Sequence, residues 1–201
     1  MQEQPRIPCG SRPRPASRPC SQSSGSSGTL ADFVQQYKRD HEHDPRDALA
    51  NCRHLDDAIR HATGSAGKVP GHQRRVGRKI LQEACERLLG HQDEIEGCQS
   101  FAELIALVER ATEGIYRFGE LAVYDTAFRL GVWLKRWPKM VYLHAGTRIG
   151  AKALGLDVGR DCLDMAELPV EVRVLKPWQV EDFLCIFKRE LAVVQHHAPE
   201  R

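Results

Sequence analysis

The 201-residue chain is poor in aromatic residues, at 6%, and contains no run of apolar residues approaching the ~20 that a membrane-spanning helix requires. A membrane partner is therefore not expected. There is no C-x-x-C pair. The seven cysteines (Cys9, Cys20, Cys52, Cys85, Cys98, Cys162 and Cys185) are odd in number and widely scattered. That excludes the usual disulfide framework and zinc knuckle, and it fits a reducing cytoplasm. Cys52, Cys85 and Cys185 fall on apolar faces of predicted helices, where a thiol serves as a small hydrophobe. The first twenty residues carry no apolar h-region, so no secretory signal is expected, and Glu3 with five prolines argues against an amphipathic targeting helix. No G-x-x-x-x-G-K-[ST] loop, no strand-preceded dinucleotide fingerprint and no nucleophile elbow occur. No cofactor is expected on these grounds.

What is present is a soluble globular balance, 41% hydrophobic and 28% charged, with a formal net charge of only +2. Its distribution is more telling than its sum. Residues 68–79, KVPGHQRRVGRK, hold five basic residues and no acid; between Asp125 and Asp157 there are six more (Arg129, Lys135, Arg136, Lys139, Arg148 and Lys152), again with no acid. Acids gather in 40–57 and 93–120. Such segregation suits an anionic partner, and solvated helix faces give the same pattern.

Residues 1–28 contain five prolines and seven serines and too little apolar surface to offset the entropy of ordering, so a disordered tail is expected there, followed by one helical domain over 29–195 and a short tail over 196–201. Thr29-Leu-Ala-Asp32 reads as a capping box ahead of Phe33 and Tyr37. A second helix is expected to open at Asp44-Pro45, with Leu49, Cys52, Leu55 and Ile59 at helical spacing. The segment 64–71 breaks the chain, and a third helix is expected from about Gln73 to Leu89. Ser100 to Glu103 forms another capping box for a helix reaching Ala111; a connection from Glu113 to Gly119 leads into a helix over roughly 121–136, ended by Pro138. Met140–Leu143 reads as briefly extended, Thr147–Leu154 as a helix closed by Gly155, and Val170, Val172 and Val174 alternate as an extended segment would. A last helix follows Pro177, with Val180, Phe183, Leu184, Phe187, Leu191 and Val194 inward. The expected class is all-α, a compact multi-helix domain with no strand set large enough for a sheet.

Five segments hold chemistry. The stretch 115–134, IYRFGELAVYDTAFRLGVWL, resembles a helix-hairpin-helix element, in which glycines let backbone amides reach a DNA phosphate. Gly119 stands where that motif has its second glycine and Arg117 where it has the first. An ordinary αα-hairpin with a glycine turn is the plainer alternative. Downstream, 141–156 (VYLHAGTRIGAKALGL) resembles the pattern that follows the hairpin in helix-hairpin-helix DNA glycosylases, through Val141, His144, Arg148, Ile149, Lys152 and Leu154-Gly155-Leu156. Tyr142 occupies the position of the glycosylases' catalytic Asp, and a phenol that titrates near ~10 cannot replace a carboxylate at neutral pH. The resemblance thus implies a scaffold for contacting nucleic acid without base-excision chemistry. The segments HQRR, VYDTA, VYLHAGTR and EDFLCIFK together resemble a conserved, uncharacterised bacterial protein family, which implies no particular activity.

In GHQRR, residues 71–75, His72, Arg74 and Arg75 precede a helix and suit a phosphate or carboxylate. In DHEHD, residues 40–44, Asp40, His41, Glu42, His43 and Asp44 are chemically fit metal ligands, but i, i+2 spacing does not put both histidines on one helical face, and no metal site is expected. Asp125 is either a general base or the i, i+4 partner of Arg129. Trp133, Trp137 and Trp178 read as packing residues rather than stacking platforms.

The leading expectation is nucleic-acid binding of low sequence specificity, with His72, Arg74, Arg75, Arg117, Gly119, Gly146, Thr147, Arg148 and Lys152 meeting phosphates. Two alternatives stay open. One is an enzyme acting on a small anionic or nucleic-acid substrate with Asp125, His144 and Arg148 as its catalytic group; the other is a non-catalytic interaction protein.

Overall fold

The computed structural model describes residues 28–66 and 75–194. The class is all-α: helices α1 (Leu30–Asp40), α2 (Leu55–Thr63), α3 (Arg78–Leu89), α4 (Gln92–Gly97), α5 (Phe101–Thr112), α6 (Glu120–Leu134), α7 (Ala145–Ala153), α8 (Pro177–Ile186) and α9 (Lys188–Val194), with one two-stranded antiparallel ribbon of β1 (Val141–Tyr142) and β2 (Cys162–Leu163). In the ribbon, Val141 pairs with Leu163 and Tyr142 with Cys162.

The capping signals translate directly into helix starts. Thr29 Oγ1 accepts from the Asp32 amide at 3.3 Å while the Asp32 carboxylate accepts from the Thr29 amide at 2.8 Å, and α1 begins there. Ser100 accepts from the Glu103 amide and opens α5. Gly77, at φ 99°, holds a left-handed conformation that only glycine adopts without strain, and it fixes the first turn of α3 at Arg78. The expected start at Gln73 lies outside the described residues.

Three expectations are corrected. Asp44 does not open a helix: its carboxylate accepts from the Arg46 amide at 2.9 Å and pairs with the Arg46 guanidinium. One 3₁₀ turn follows at Asp47–Leu49, and α2 begins only at Leu55. Trp133 Nε1–H donates to the Cys52 carbonyl at 3.3 Å, a tertiary bond in place of a helical one. The alternation of Val170, Val172 and Val174 is not a strand. Turn bonds from Val172 N to Pro169 O and from Leu175 N to Val172 O bury Leu168, Val172 and Leu175, while Val170 and Val174 stay exposed. The final helix breaks at Phe187 into α8 and α9. The short helix α4 was not legible at all; it is anchored by a single buried residue, Ile95.

The interior divides into two main cores. Leu55, Ile59, Leu88, Ile95, Leu104, Val108 and Leu130 fill the bundle of α2–α6. Val34, Tyr37, Val141, Leu163, Leu168, Phe183, Leu184 and Leu191 fill a second, built by the ribbon, α7–α9 and the distant α1. Burying each such Leu, Ile or Phe contributes about 1.5–3 kcal/mol. Residues from the facing sides of α5, α6, β1, α7 and α8 form the seam between the two.

Candidate functional site

A cleft of about 810 Å³ opens at this seam. One wall is α5, which presents the small side chains of Ala102 and Ala106; the connection after α5 and the start of α6 form the rim, and β1 with the start of α7 closes the far side. Tyr124, Tyr142 and His144 line it. The rings of Tyr124 and Tyr142 lie 6.0 Å apart, that of Tyr142 is 5.1 Å from Phe101, and that of Tyr124 is 6.3 Å from the His144 imidazole. Burial pushes the Tyr124 phenol well above its ordinary range, with a further push from Glu181, and burial also raises Tyr142. Both are neutral hydroxyls at any physiological pH.

His144 is the N-cap of α7. Its Nδ1 accepts from the Gly146 amide at 3.2 Å, and its own amide donates to Thr147 Oγ1 at 2.7 Å, so the first turn is capped from within the chain. With Nδ1 an acceptor, Nε2 carries the proton, and it donates to Glu181 Oε1 in a short, buried bond. Burial lifts the Glu181 carboxyl to about 6; His144 opposes that rise, while Asp125 and Asp182 add to it. Asp182 accepts from the Tyr37 hydroxyl at 3.1 Å, which ties α1 to α8.

The glycines and the arginine of 144–150 have internal employment. A Cβ on Gly146 would lie 2.7 Å from Cys185 Sγ, and one on Gly150 would lie 2.2 Å from the Leu184 carbonyl oxygen. These two glycines, one helical turn apart, are the flat face on which α8 rests. Arg148 donates to the carbonyls of Val158 at 2.8 Å and Arg160 at 2.5 Å and pairs with Asp161 at 3.2 Å, pinning the chain before β2. Lys152 is exposed in the last turn of α7. Asp125 is not among the lining residues; it lies on α6 within 3.9 Å of Arg129 Nη2, the i, i+4 pairing, and Arg129 also donates to the Ala62 carbonyl at 2.8 Å. Burial lowers the Arg129 pKa, and Asp125 opposes that fall. Of the three catalytic candidates, then, His144 and Arg148 reach the cleft and Asp125 lies behind it.

On the opposite side of the rim, Arg117 takes φ 65°, the conformation a glycine would favour there, and its guanidinium donates to the Arg75 carbonyl at 2.6 Å. Ile115 and Phe118 pack with Leu81, Ala84 and Ala122, fastening the connection to α3. Tyr116 is left 80% exposed between them. Gly119 is the N-cap of α6, in extended backbone. Arg75, Arg78, Lys79 and Arg117 are all exposed. His72 and Arg74 lie outside the described residues.

In the 40–44 segment, Glu42 accepts from Gln179 Nε2 at 2.9 Å and His43 Nδ1 contacts the His41 carbonyl at 3.0 Å. Among the described residues no group of three or more His, Cys, Asp or Glu side chains is arranged to hold a metal ion. Trp178 is buried and packs against Phe128 at 5.6 Å and against Trp137, itself exposed, at 6.4 Å.

Sequence reasoning did not single out Glu181, Asp182 or Tyr37. The signal for the first two was available: adjacent acids inside the otherwise apolar stretch 180–187 need partners. No family model, curated protein or solved structure matches the chain, so its likeness to the helix-hairpin-helix glycosylases rests on the residues quoted above.

Proposed function

We propose that the protein binds nucleic acid through the phosphate backbone, using the face formed by the start of α3 and the hairpin before α6, and that it is not an active base-excision glycosylase. The observation that carries this is the meeting of two separate basic segments, with Arg117 donating to the Arg75 carbonyl and Arg78 and Lys79 exposed one turn away. The first turn of α3 has no acid and no side-chain cap. Two cations there oppose the helix dipole at about 0.3–1 kcal/mol each, a cost that a bound phosphate removes. Tyr116, exposed between them, supplies a face on which a base can stack. Gly119 and Lys152 extend the same reading along the hairpin and α7, whereas Gly146, Thr147 and Arg148 act within the fold. Tyr142 at the glycosylases' Asp position removes the carboxylate that base excision requires.

The test is fluorescence anisotropy with labelled single-stranded and duplex oligonucleotides over a salt series. Four phosphate contacts give a slope of log K against log salt near about −3 to −4. Replacing Arg75, Arg78, Lys79 and Arg117 together by Gln should flatten that slope to near zero. Absence of binding in low salt, or binding indifferent to salt, overturns the proposal.

A further inference from the structure

The connection between α5 and α6 folds around one tight turn. The Phe118 amide donates to the Ile115 carbonyl at 3.1 Å, and both side chains are buried against Leu81, Ala84 and Ala122. The two residues between them, Tyr116 and Arg117, form the exposed tip. Arg117 occupies the third position of the turn at φ 65°, where glycine is the residue free of strain. Its guanidinium donates to the Arg75 carbonyl at 2.6 Å, and Arg87 donates to the Glu113 carbonyl at 2.8 Å, so the connection is tied to α3 and its approach at two points. Tyr116 is thus held out by its neighbours and not by contacts of its own. It is 80% exposed, and its ring has no aromatic neighbour among the described residues. A ring displayed on a braced turn loses little freedom when a flat partner covers it.

The charges on the two sides of this tip differ in sign. Toward α3 lie Arg75, Arg78 and Lys79, all exposed, and the bond from Arg117 to Arg75 sets the tip beside them. Toward the cleft lie Glu113 and Glu120, exposed and lining that cavity. The cationic row is short, because Glu83 and Glu86 follow Lys79 along α3, and Glu83 pairs with Arg87 at 2.7 Å. One row of phosphates can follow the cations while its bases turn toward the tip. A duplex brings a second row of phosphates toward the two carboxylates. Its bases are also already stacked on one another, so offering a face to Tyr116 requires unstacking them.

We infer that the partner of the basic face is a single-stranded nucleic acid, one of whose unpaired bases stacks on Tyr116 while the adjoining phosphates lie along Arg75, Arg78, Lys79 and Arg117. The inference rests on the phosphate-backbone reading above and narrows it to strands with exposed base faces. Stacking uses the flat face that every base has and no base edge, so sequence matters little to this site and pairing matters a great deal.

The experiment is fluorescence anisotropy of the full chain in low salt with four labelled probes of equal length. Oligothymidylate and oligouridylate tell DNA from RNA, a duplex hides the base faces, and an abasic strand keeps the phosphates without the bases. The tighter of the two single strands should bind at least about tenfold more strongly than the duplex or the abasic strand. Tyr116→Ala should weaken that strand at least about fivefold and leave abasic affinity and the salt slope unchanged, whereas Tyr116→Trp should retain the affinity. Both changes fall on an exposed side chain, and thermal melting confirms that the fold is intact. Equal affinity for duplex and single strand, or unchanged single-strand affinity in Tyr116→Ala, overturns the inference and leaves the basic face standing. Failure of all four probes to bind removes both.

Discussion

The bundle core of α2–α6 and the seam between that bundle and α7–α8 solve the same problem of burial with different materials. In the bundle, Ile59, Leu88, Ile95, Leu104, Val108 and Leu130 are wholly buried in a core that is mostly aliphatic, with Cys85, Cys98 and Tyr124 beside them. In the seam, the buried side chains include Tyr124, His144, Glu181 and Thr126, and beside it α7 and α8 approach each other through glycine rather than through leucine. The first arrangement is tolerant, because hydrophobic volume can be redistributed. The second is not, since His144 and Glu181 depend on each other at one position. The teaching is that the bundle supplies stability, while the seam fixes a geometry at some expense to it.

Substitutions at three places sharpen or break that contrast. The largest effect is expected from Gly150→Ala. Its added Cβ would meet the Leu184 backbone at 2.2 and 2.8 Å, and backbone cannot rotate away as a side chain can. A loss of about 3 kcal/mol or more is expected in urea denaturation, comparable to Leu104→Ala in the bundle, although one atom is added rather than three removed. Equal stability of Gly150→Ala and wild type would show that α7 and α8 yield as freely as the bundle does.

Next comes the buried pair. His144→Ala leaves the Glu181 carboxylate buried without its donor and should cost about 3 kcal/mol near neutral pH. Protonation relieves part of that cost. Because the Glu181 carboxyl titrates near about 6 in the folded chain against 4.5 ordinarily, the native state binds more protons than the unfolded state between those values. Wild-type stability should therefore decline, relative to Glu181→Gln, as pH rises through 4.5 to about 6, by on the order of 2 kcal/mol, and stay level above. Parallel pH profiles of the two proteins would remove Glu181 from the account. Leu104→Ala keeps Glu181, so its cost relative to wild type should be the same across that pH range.

The smallest effect is a gain. Thr126 is completely buried and its hydroxyl has no hydrogen-bond partner among the described residues. Thr126→Val keeps the shape and removes the orphaned group, so thermal melting should rise by the equivalent of about 1 kcal/mol. A fall would mean that the hydroxyl meets a buried water.

Local chemistry was the part of this molecule most legible in the sequence. The caps at Thr29 and Ser100, the glycine stop at Gly155 and the inward stripe of Val180, Phe183, Leu184, Phe187 and Leu191 are all encoded within a few residues, and each appears as read. What failed depends on distant partners. Asp44 was captured by Arg46, and the Cys52 carbonyl by a tryptophan eighty-one residues away. The candidate site divides along the same line. His144, Arg148 and Gly119 were picked out because their residue types announce themselves, and they do border one cleft. The roles of Gly146 and Arg148 were not legible, since a glycine that admits a phosphate and one that admits Leu184 or Cys185 are spelled alike. Glu181 escaped for the opposite reason: its significance lies in burial beside His144, thirty-seven positions earlier.

The bond between Tyr37 and Asp182 spans 145 positions, and Phe33 meets Phe187 across a similar distance. Helix α1 is thus the first described element to leave the ribosome and nearly the last to find its place. Until α8 has been synthesised, Val34 and Tyr37 have no core to enter, although the bundle of α2–α6 between them has all of its own partners. At about 5–20 residues per second that wait lasts about 7–30 seconds. A nascent chain halted between α6 and α8 would hold a finished bundle with an unpartnered amphipathic helix ahead of it, a natural handle for a chaperone and a point where truncation would be noticed first.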